Sequence, residues 1–139
     1  SPVLKEDLVL TGDMTAELYI SSDAPDTDFV VRVTDVDENG RSIKLADGLL
    51  SARYRNGFAR SEFLQEGEIV CLKIRTTKLS NCFRKGHRIR VTVTSSAKNF
   101  IFPNSNTREG FAAAQTVVAH NRVYHGGLHA SRLTVRVEP

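Results

Sequence analysis

Apolar and polar residues alternate along much of this chain with a period of two, the spacing of strands that bury one face and wet the other. Ala16, Leu18 and Ile20 alternate with Thr15, Glu17 and Tyr19, and Val70, Leu72 and Ile74 alternate with Cys71, Lys73 and Arg75. The pattern is cleanest where Ile89, Val91 and Val93 lie between Arg88, Arg90, Thr92 and Thr94, and where Leu133, Val135 and Val137 lie between Arg132, Thr134 and Arg136. Strands are therefore expected over 15–20, 70–75, 88–94 and 132–137. The segment from Asp28 to Val36 differs. Phe29, Val31 and Val33 share one face, but Val30 and Val36 give the other face apolar character too, which predicts a more central strand. It ends in Asp35-Val36-Asp37-Glu38-Asn39-Gly40, where Asn-Gly predicts a tight hairpin because both residues tolerate positive φ. The return strand is expected to begin near Ser42.

No window of 11 or more residues carries a helical period, and glycines such as Gly12, Gly48, Gly57, Gly67 and Gly86 stand at turn positions. The class that follows is all-β, with about eight short strands in a two-sheet sandwich such as a jelly roll. Two stretches, 56–66 and 97–113, resist a strand reading and are expected to be loops. The second holds Phe100, Ile101, Phe102 and Phe111, apolar residues in a long loop of the kind that packs or binds, and is the expected interface.

Length and composition narrow this picture. A chain of 139 residues, 40% hydrophobic and 25% charged, fits one domain with its own core. No run approaches the roughly 18 to 20 apolar residues that cross a bilayer, and the first residues lack a signal-peptide layout. Cys71 and Cys82 are too few for a disulfide framework and form no Cys-x-x-Cys pair. A cytoplasmic protein without a membrane partner is the expectation. The 19 basic and 16 acidic residues are intermixed, so the formal charge of +3 does not point to nucleic acid. Arg88, Arg90, Arg132 and Arg136 would form a basic face if their strands shared a sheet, but no interleaved aromatics are there to stack bases.

Candidate chemistry is sparse. Serine hydrolysis on an α/β scaffold needs a Gly-x-Ser-x-Gly elbow with a base and an acid, and that motif is absent. Asp35-x-Asp37-x-Asn39-Gly40 copies the first half of a calcium loop, but position twelve is Ala46 where a bidentate Glu is required, so a plain hairpin turn is expected. His120, His125 and His129 are close enough in sequence to suggest a metal, yet no fourth ligand is evident and a hydrogen-bonding loop is expected instead. In the acidic stretch 21–28, short oxygen-bearing side chains are expected to cap local amides, with calcium or sugar hydroxyls as the functional alternative. No metal or cofactor is expected.

Several of these segments resemble one family. Glu17-Leu18-Tyr19-Ile20-Ser21-Ser22-Asp23-Ala24-Pro25-Asp26-Thr27-Asp28-Phe29 is similar to the C-terminal domain of X-Pro dipeptidyl-peptidases and cocaine esterase. So are Asp47-Gly48-Leu49-Leu50-Ser51-Ala52-Arg53-Tyr54-Arg55, then Gly86-His87-Arg88-Ile89-Arg90-Val91, then Asn104-Ser105-Asn106-Thr107 and His120-Asn121-Arg122-Val123-Tyr124-His125. The resemblance runs nearly the whole chain in order. It implies a jelly-roll sandwich akin to galactose-binding domains, lying after an α/β-hydrolase domain that carries the Ser-His-Asp triad. This chain would then be one noncatalytic domain, residues 1–139, of a larger hydrolase of peptide, ester or acyl-amide bonds. Its partner would be that catalytic domain, with a homo-oligomer as a further possibility. The residues carried over as structural or interdomain are Asp23, Asp26, Thr27, Asp28, Phe29, Asp47, Gly48, Arg53, Tyr54, Arg55, His87, Arg88, Asn106, Thr107, His120 and His125. Two positions depart from the pattern: Ala97-Lys98-Asn99 replaces an expected Asn-Phe-Pro, and Ala130 replaces an expected proline. A carbohydrate-binding module is the alternative, weakened by the absence of Trp and the presence of only three Tyr.

Overall fold

The computed structural model describes residues 1–137, and these are almost entirely strand, turn and loop. The strands in chain order are β1 (Leu8–Gly12), β2 (Thr15–Ser22), β3 (Asp28–Val36), β4 (Ser42–Ser51), β5 (Val70–Arg75), β6 (Leu79–Phe83), β7 (Arg88–Thr94), β8 (Asn121–Gly126), β9 (His129–Ala130) and β10 (Arg132–Thr134). The only helical pieces among the described residues are single turns at Ala52–Tyr54 and Gly110–Ala112.

Two antiparallel sheets face each other. One centres on β2, which pairs with β5 on one side and, on the other, with β10 along its first half and β8 along its second. The other has β3 between β4 and β7. β1 and β6 form a separate two-stranded ribbon. The inner face of β2 (Ala16, Leu18, Ile20) and of β5 (Leu72, Ile74) packs on Phe29 and Val31 of β3, with Ala52 and Leu64 closing one end. Burying each large apolar side chain here contributes about 1.5–3 kcal/mol. As the double-sided apolar pattern of 28–36 predicts, β3 is central, and Val30 and Val36 are buried as well.

The two long edges of the sandwich are unlike. On the β4/β5 edge the sheets meet: Thr77 donates its N–H to the Asp47 carbonyl at 2.8 Å, and a Cβ on Gly48 would lie 2.6 Å from the Arg75 carbonyl oxygen. Only glycine permits this approach. On the opposite edge, β7 stands apart from β8 and β10 over a groove of about 210 Å³ lined by Leu18, Val91, Val93, Val123 and Leu133 among others. Val91 is 43% exposed there, so the regular alternation of 88–94 predicts its strand correctly but not its cover.

Several expectations are corrected. The strand expected over 132–137 pairs with β2 only through Thr134, opposite Thr15, because β2 begins there and offers no further partner. The chain then crosses to β1, where Arg136 accepts the N–H of Thr11 and Val137 bridges to Leu10. The hairpin expected at Asn-Gly is present, with three loop residues, but Asn39 does not use the positive φ expected of both. Asp37 closes it across to Arg41, Asp37 Oδ1 accepts the N–H groups of Asn39 and Arg41, and only Gly40 has positive φ, at 81°. The region around the three C-terminal histidines is the β8–β9 hairpin, not an irregular loop. Finally, Arg88 and Arg90 lie in the β3 sheet while Arg132 lies in the β2 sheet, so the basic face does not assemble.

Candidate functional site

The loop from β2 to β3 delivers three carboxylates to one end of the sandwich, and two of them are buried. Asp26 is 1% exposed. Its Oδ1 accepts the Arg53 backbone N–H at 2.9 Å, and its Oδ2 accepts Arg53 Nε at 2.8 Å and Asn104 Nδ2 at 2.8 Å. The same Asn104 amide donates to Asp28 Oδ1 at 2.8 Å, while the Asn104 oxygen accepts the N–H of Asn106 at 2.9 Å. Arg53, at 11% side-chain exposure, spends its remaining donors on the carbonyls of Thr107 (2.8 Å) and Arg108 (3.2 Å). Asn106 adopts φ 60°, which Asn tolerates better than most residues, and its side chain donates to the Val117 carbonyl. Thr27 accepts from Asn121 at 3.1 Å. Every buried charge here has a partner, as a low-dielectric site requires. The network's work is to hold the 97–113 loop against the end of β3.

That loop and the 52–63 segment surround the network with aromatic rings. Phe63 lies under the guanidinium groups of Arg53 and Arg108, at 5.1 and 4.7 Å from ring centroid to carbon. Tyr54 packs on Phe58, and Phe111 meets Phe102 edge-on at 6.5 Å. Phe58, Phe102 and Phe111 are each about 80% exposed. Between Tyr54 and Phe111 opens a cavity of about 260 Å³ with Asp26, Arg53 and Asn104 in its wall and Glu109 beside them.

The remaining predicted residues fall elsewhere. Phe29 is core. Arg55 donates to the carbonyls of Ala52 and Glu62, fixing the turn after β4. Asp47 lies across from Arg32 and accepts two bonds from it, at 2.7 and 3.1 Å, and a third from Lys44 at 3.0 Å. Residues three apart on a regular strand face opposite ways; the register shift that skips Leu45 brings Lys44 round to Asp47. Arg32, then Lys44, hold the Asp47 carboxyl below its ordinary value. Lys44 also sits 5.3 Å from the Phe100 ring centroid, tying this cluster to the aromatic loop.

His87 pairs with Asp35 at 2.9 Å beside the β3–β4 hairpin, and Arg88 is exposed at the start of β7. Asp23 accepts both the backbone N–H (2.8 Å) and the ring of His120 (2.6 Å), the backbone bond being the larger cause of its lowered pKa. His125 lines the open groove, and His129 packs against Tyr19 and Tyr124. The three histidines thus sit in three different environments. The acidic stretch is also corrected: Ser22 caps Ala24 locally, but Asp23, Asp26 and Asp28 take partners 27 to 97 residues away.

A model of the X-Pro dipeptidyl-peptidase C-terminal non-catalytic domain matches residues 1–134. The chain belongs to this family. Cocaine esterase of Rhodococcus sp. (strain MB1 Bresler) is 37% identical over 138 residues, covering 97% of this chain and 24% of the esterase. A crystal structure of an aminopeptidase from the marine sediment archaeon Thaumarchaeota archaeon superposes with a TM-score of 0.94 at 26% identity, over 100% of this chain and 25% of that one. An α-amino acid ester hydrolase shares the fold, with a TM-score of 0.92 at 24% identity over 98% of this chain and 24% of its own. The chain therefore spans about a quarter of the length of these relatives.

Within the family stretch Asn104–Thr107, the sequence reading carried over Asn106 and Thr107 but not Asn104, whose amide joins the two buried carboxylates. Arg32, Lys44, Phe58 and Phe63 were missed too. No local spacing marks them, since each acts through a partner on another strand or loop. A buried Asp-x-Asp at a strand entrance was the one available hint that a remote donor had to exist.

Proposed function

We propose that this chain is the noncatalytic C-terminal domain of a serine hydrolase, and that the aromatic end built on Asp26, Arg53 and Asn104 is where it docks on the α/β-hydrolase core. The observation that carries this reading is the pairing of a buried, hydrogen-bonded Asp26–Arg53–Asn104 base with three largely exposed phenylalanines. Exposed aromatic rings cost solvation in an isolated domain and are the residues that dominate interfaces when covered. A buried ion pair that fixes their supporting loop makes the surface preorganised, which lowers the entropy lost on docking. Family membership and the greater length of the relatives support a catalytic domain in the same polypeptide. In this reading the triad and oxyanion hole belong to that domain, which hydrolyses an ester or amide bond, and the present residues shape the cleft by holding their loops against it.

The test uses the parent chain. Phe102→Glu with Phe111→Glu should leave the 139-residue domain folded while loosening its docking, read as faster proteolytic separation of the two domains and a raised KM for an activated ester. Unchanged proteolysis and kinetics would place the interface elsewhere. The isolated domain should give no ester turnover above buffer, and turnover there would refute the noncatalytic assignment.

A further inference from the structure

The cavity between Tyr54 and Phe111 holds one charge that the domain leaves unmatched. Of the ionic groups in its wall, Asp26 and Arg53 neutralise each other at 2.8 Å, and Arg53 donates to the Thr107 and Arg108 carbonyls as well. The guanidinium is also closely covered. Phe63 lies over it at 5.1 Å, and Gly110 packs so near that a Cβ there would stand 3.3 Å from both terminal nitrogens. A group entering the cavity finds Arg53 already engaged. Glu109 differs. It joins none of the ion pairs among the described residues, and its neighbour Arg108 stacks on Phe63 at 4.7 Å instead. The Thr107 hydroxyl, then the backbone N–H of Glu109 itself, hold its carboxyl below the ordinary value, with smaller contributions from Arg108 and Arg53 at longer range. It is therefore an anion near neutral pH.

A carboxylate beside two aromatic rings suits a cation, since the ring faces attract positive charge and the anion supplies the counter-charge. Size decides what carries that cation. The cavity volume of about 260 Å³ falls below the roughly 300 Å³ at which pockets for free drug-sized ligands begin, yet it admits one long side chain. Phe111, at 82% exposure, lies in its wall and meets Phe102 edge-on, so the cavity belongs to the same face as the exposed rings. Of the two long basic side chains, arginine fits better. Its planar guanidinium lies flat on a ring while its fork reaches both carboxylate oxygens, whereas the lysine ammonium is a compact and more strongly hydrated charge. Arginines that fill pockets are also among the side chains that dominate interfaces.

We infer that an arginine side chain of the hydrolase core enters this cavity when the domain docks, with its guanidinium against Tyr54 and Phe111 and paired with Glu109. This rests on the docking face proposed above and names what that face receives. Glu109 then acts between the domains, not within this one. Its removal should weaken docking without touching the fold of the sandwich, whereas removal of Asp26 strikes the fold itself.

The parent protein is compared as wild type, Glu109→Gln and Phe102→Glu with Phe111→Glu. Glu109→Gln should speed proteolytic separation of the domains at least about tenfold, the loss expected when one member of a desolvated charge pair is neutralised. Urea unfolding of the 139-residue chain should not change with it. Phenylglyoxal, which modifies guanidinium groups, then identifies the occupant by peptide mass spectrometry. One arginine of the hydrolase core should be labelled at least about tenfold more slowly in wild type than in Glu109→Gln, because labelling needs the pair to open. If the phenylalanine variant separates faster while Glu109→Gln separates like wild type, the face docks without this pair and the inference falls alone. If neither variant differs from wild type, the docking reading falls and takes the inference with it. Equal labelling of every arginine in wild type and Glu109→Gln overturns the arginine assignment. A Glu109→Gln change that destabilises the 139-residue chain as much as it loosens docking overturns it too, since Glu109 would then serve the fold.

Discussion

Removing the Asp26 carboxylate tests the polar base of the aromatic end most directly. In Asp26→Ala the Arg53 guanidinium loses the carboxylate it is bonded to, the Arg53 backbone N–H loses its acceptor and the Asn104 amide loses one of its two acceptors. Charge-assisted bonds are each worth about 1.5–3 kcal/mol, but they share one anion and are not additive. Leaving one member of a buried pair alone costs about 3–5 kcal/mol. The site borders a cavity and Arg53 keeps two carbonyl acceptors, so water can reach the stranded charge and the low end, about 3 kcal/mol, is expected. For a chain of this size that lowers Tm by about 10 °C. Urea unfolding followed by far-UV circular dichroism measures it, with the slope unchanged if the native state stays compact. Asp26→Asn keeps an oxygen for the Arg53 backbone and should lose about half as much. In Asp26→Ala/Arg53→Met the second change should cost less than it does alone, because the charge it removes is already unpaired. An Asp26→Ala variant within about 0.5 kcal/mol of wild type would refute the reasoning, since it would mean that the carboxylate organises nothing.

Three further outcomes are expected. Gly48→Ala should destabilise by about 1–3 kcal/mol in the same urea assay because its methyl group meets the Arg75 carbonyl, whereas Gly126→Ala, with open space around it and no positive φ, should stay within about 0.5 kcal/mol. Asp47 has a folded pKa below its ordinary 3.8, so its contribution is present above that value and lost as pH falls through the folded one; the stability gap between wild type and Asp47→Asn should be constant near neutrality and close below pH 3.8. Phe102→Ser and Phe111→Ser should each change the stability of the isolated chain by under about 0.5 kcal/mol, since four-fifths of each ring is already in water.

Strand identity was largely legible because a period of two survives in single segments. β3, β5 and β7 lie where alternation puts them, to the residue. What alternation lacks is any record of which strand is the neighbour. Val91 and Val31 look alike in sequence, yet β3 has a paired strand on both sides and β7, among the described residues, on one, so Val31 is buried and Val91 is not. The same gap explains Arg88 and Arg132, similar in pattern and placed in different sheets. At the aromatic end, the expectation of local capping failed because a short loop cannot reveal a donor 76 to 78 residues downstream. Of the residues that the family resemblance carried over, Asp26, Arg53, Tyr54 and Thr107 meet in space, whereas His87, His120 and His125 lie apart from them.

The hairpin that joins β3 to β4 has a practical use. β3 enters at Asp28, beside the buried carboxylates, and leaves at Val36, about 27 Å further along at strand rise. Residues 38–40 form an exposed loop closed by Asp37 alone. Each doubling of such a loop costs only about 0.6 kcal/mol, so an epitope or a reporter peptide inserted between Glu38 and Gly40 would hang from the pole remote from the aromatic rings. The domain thus comes with its own handle, by which it can be tethered to a surface or a force probe while the rings that we propose meet the hydrolase stay free to engage.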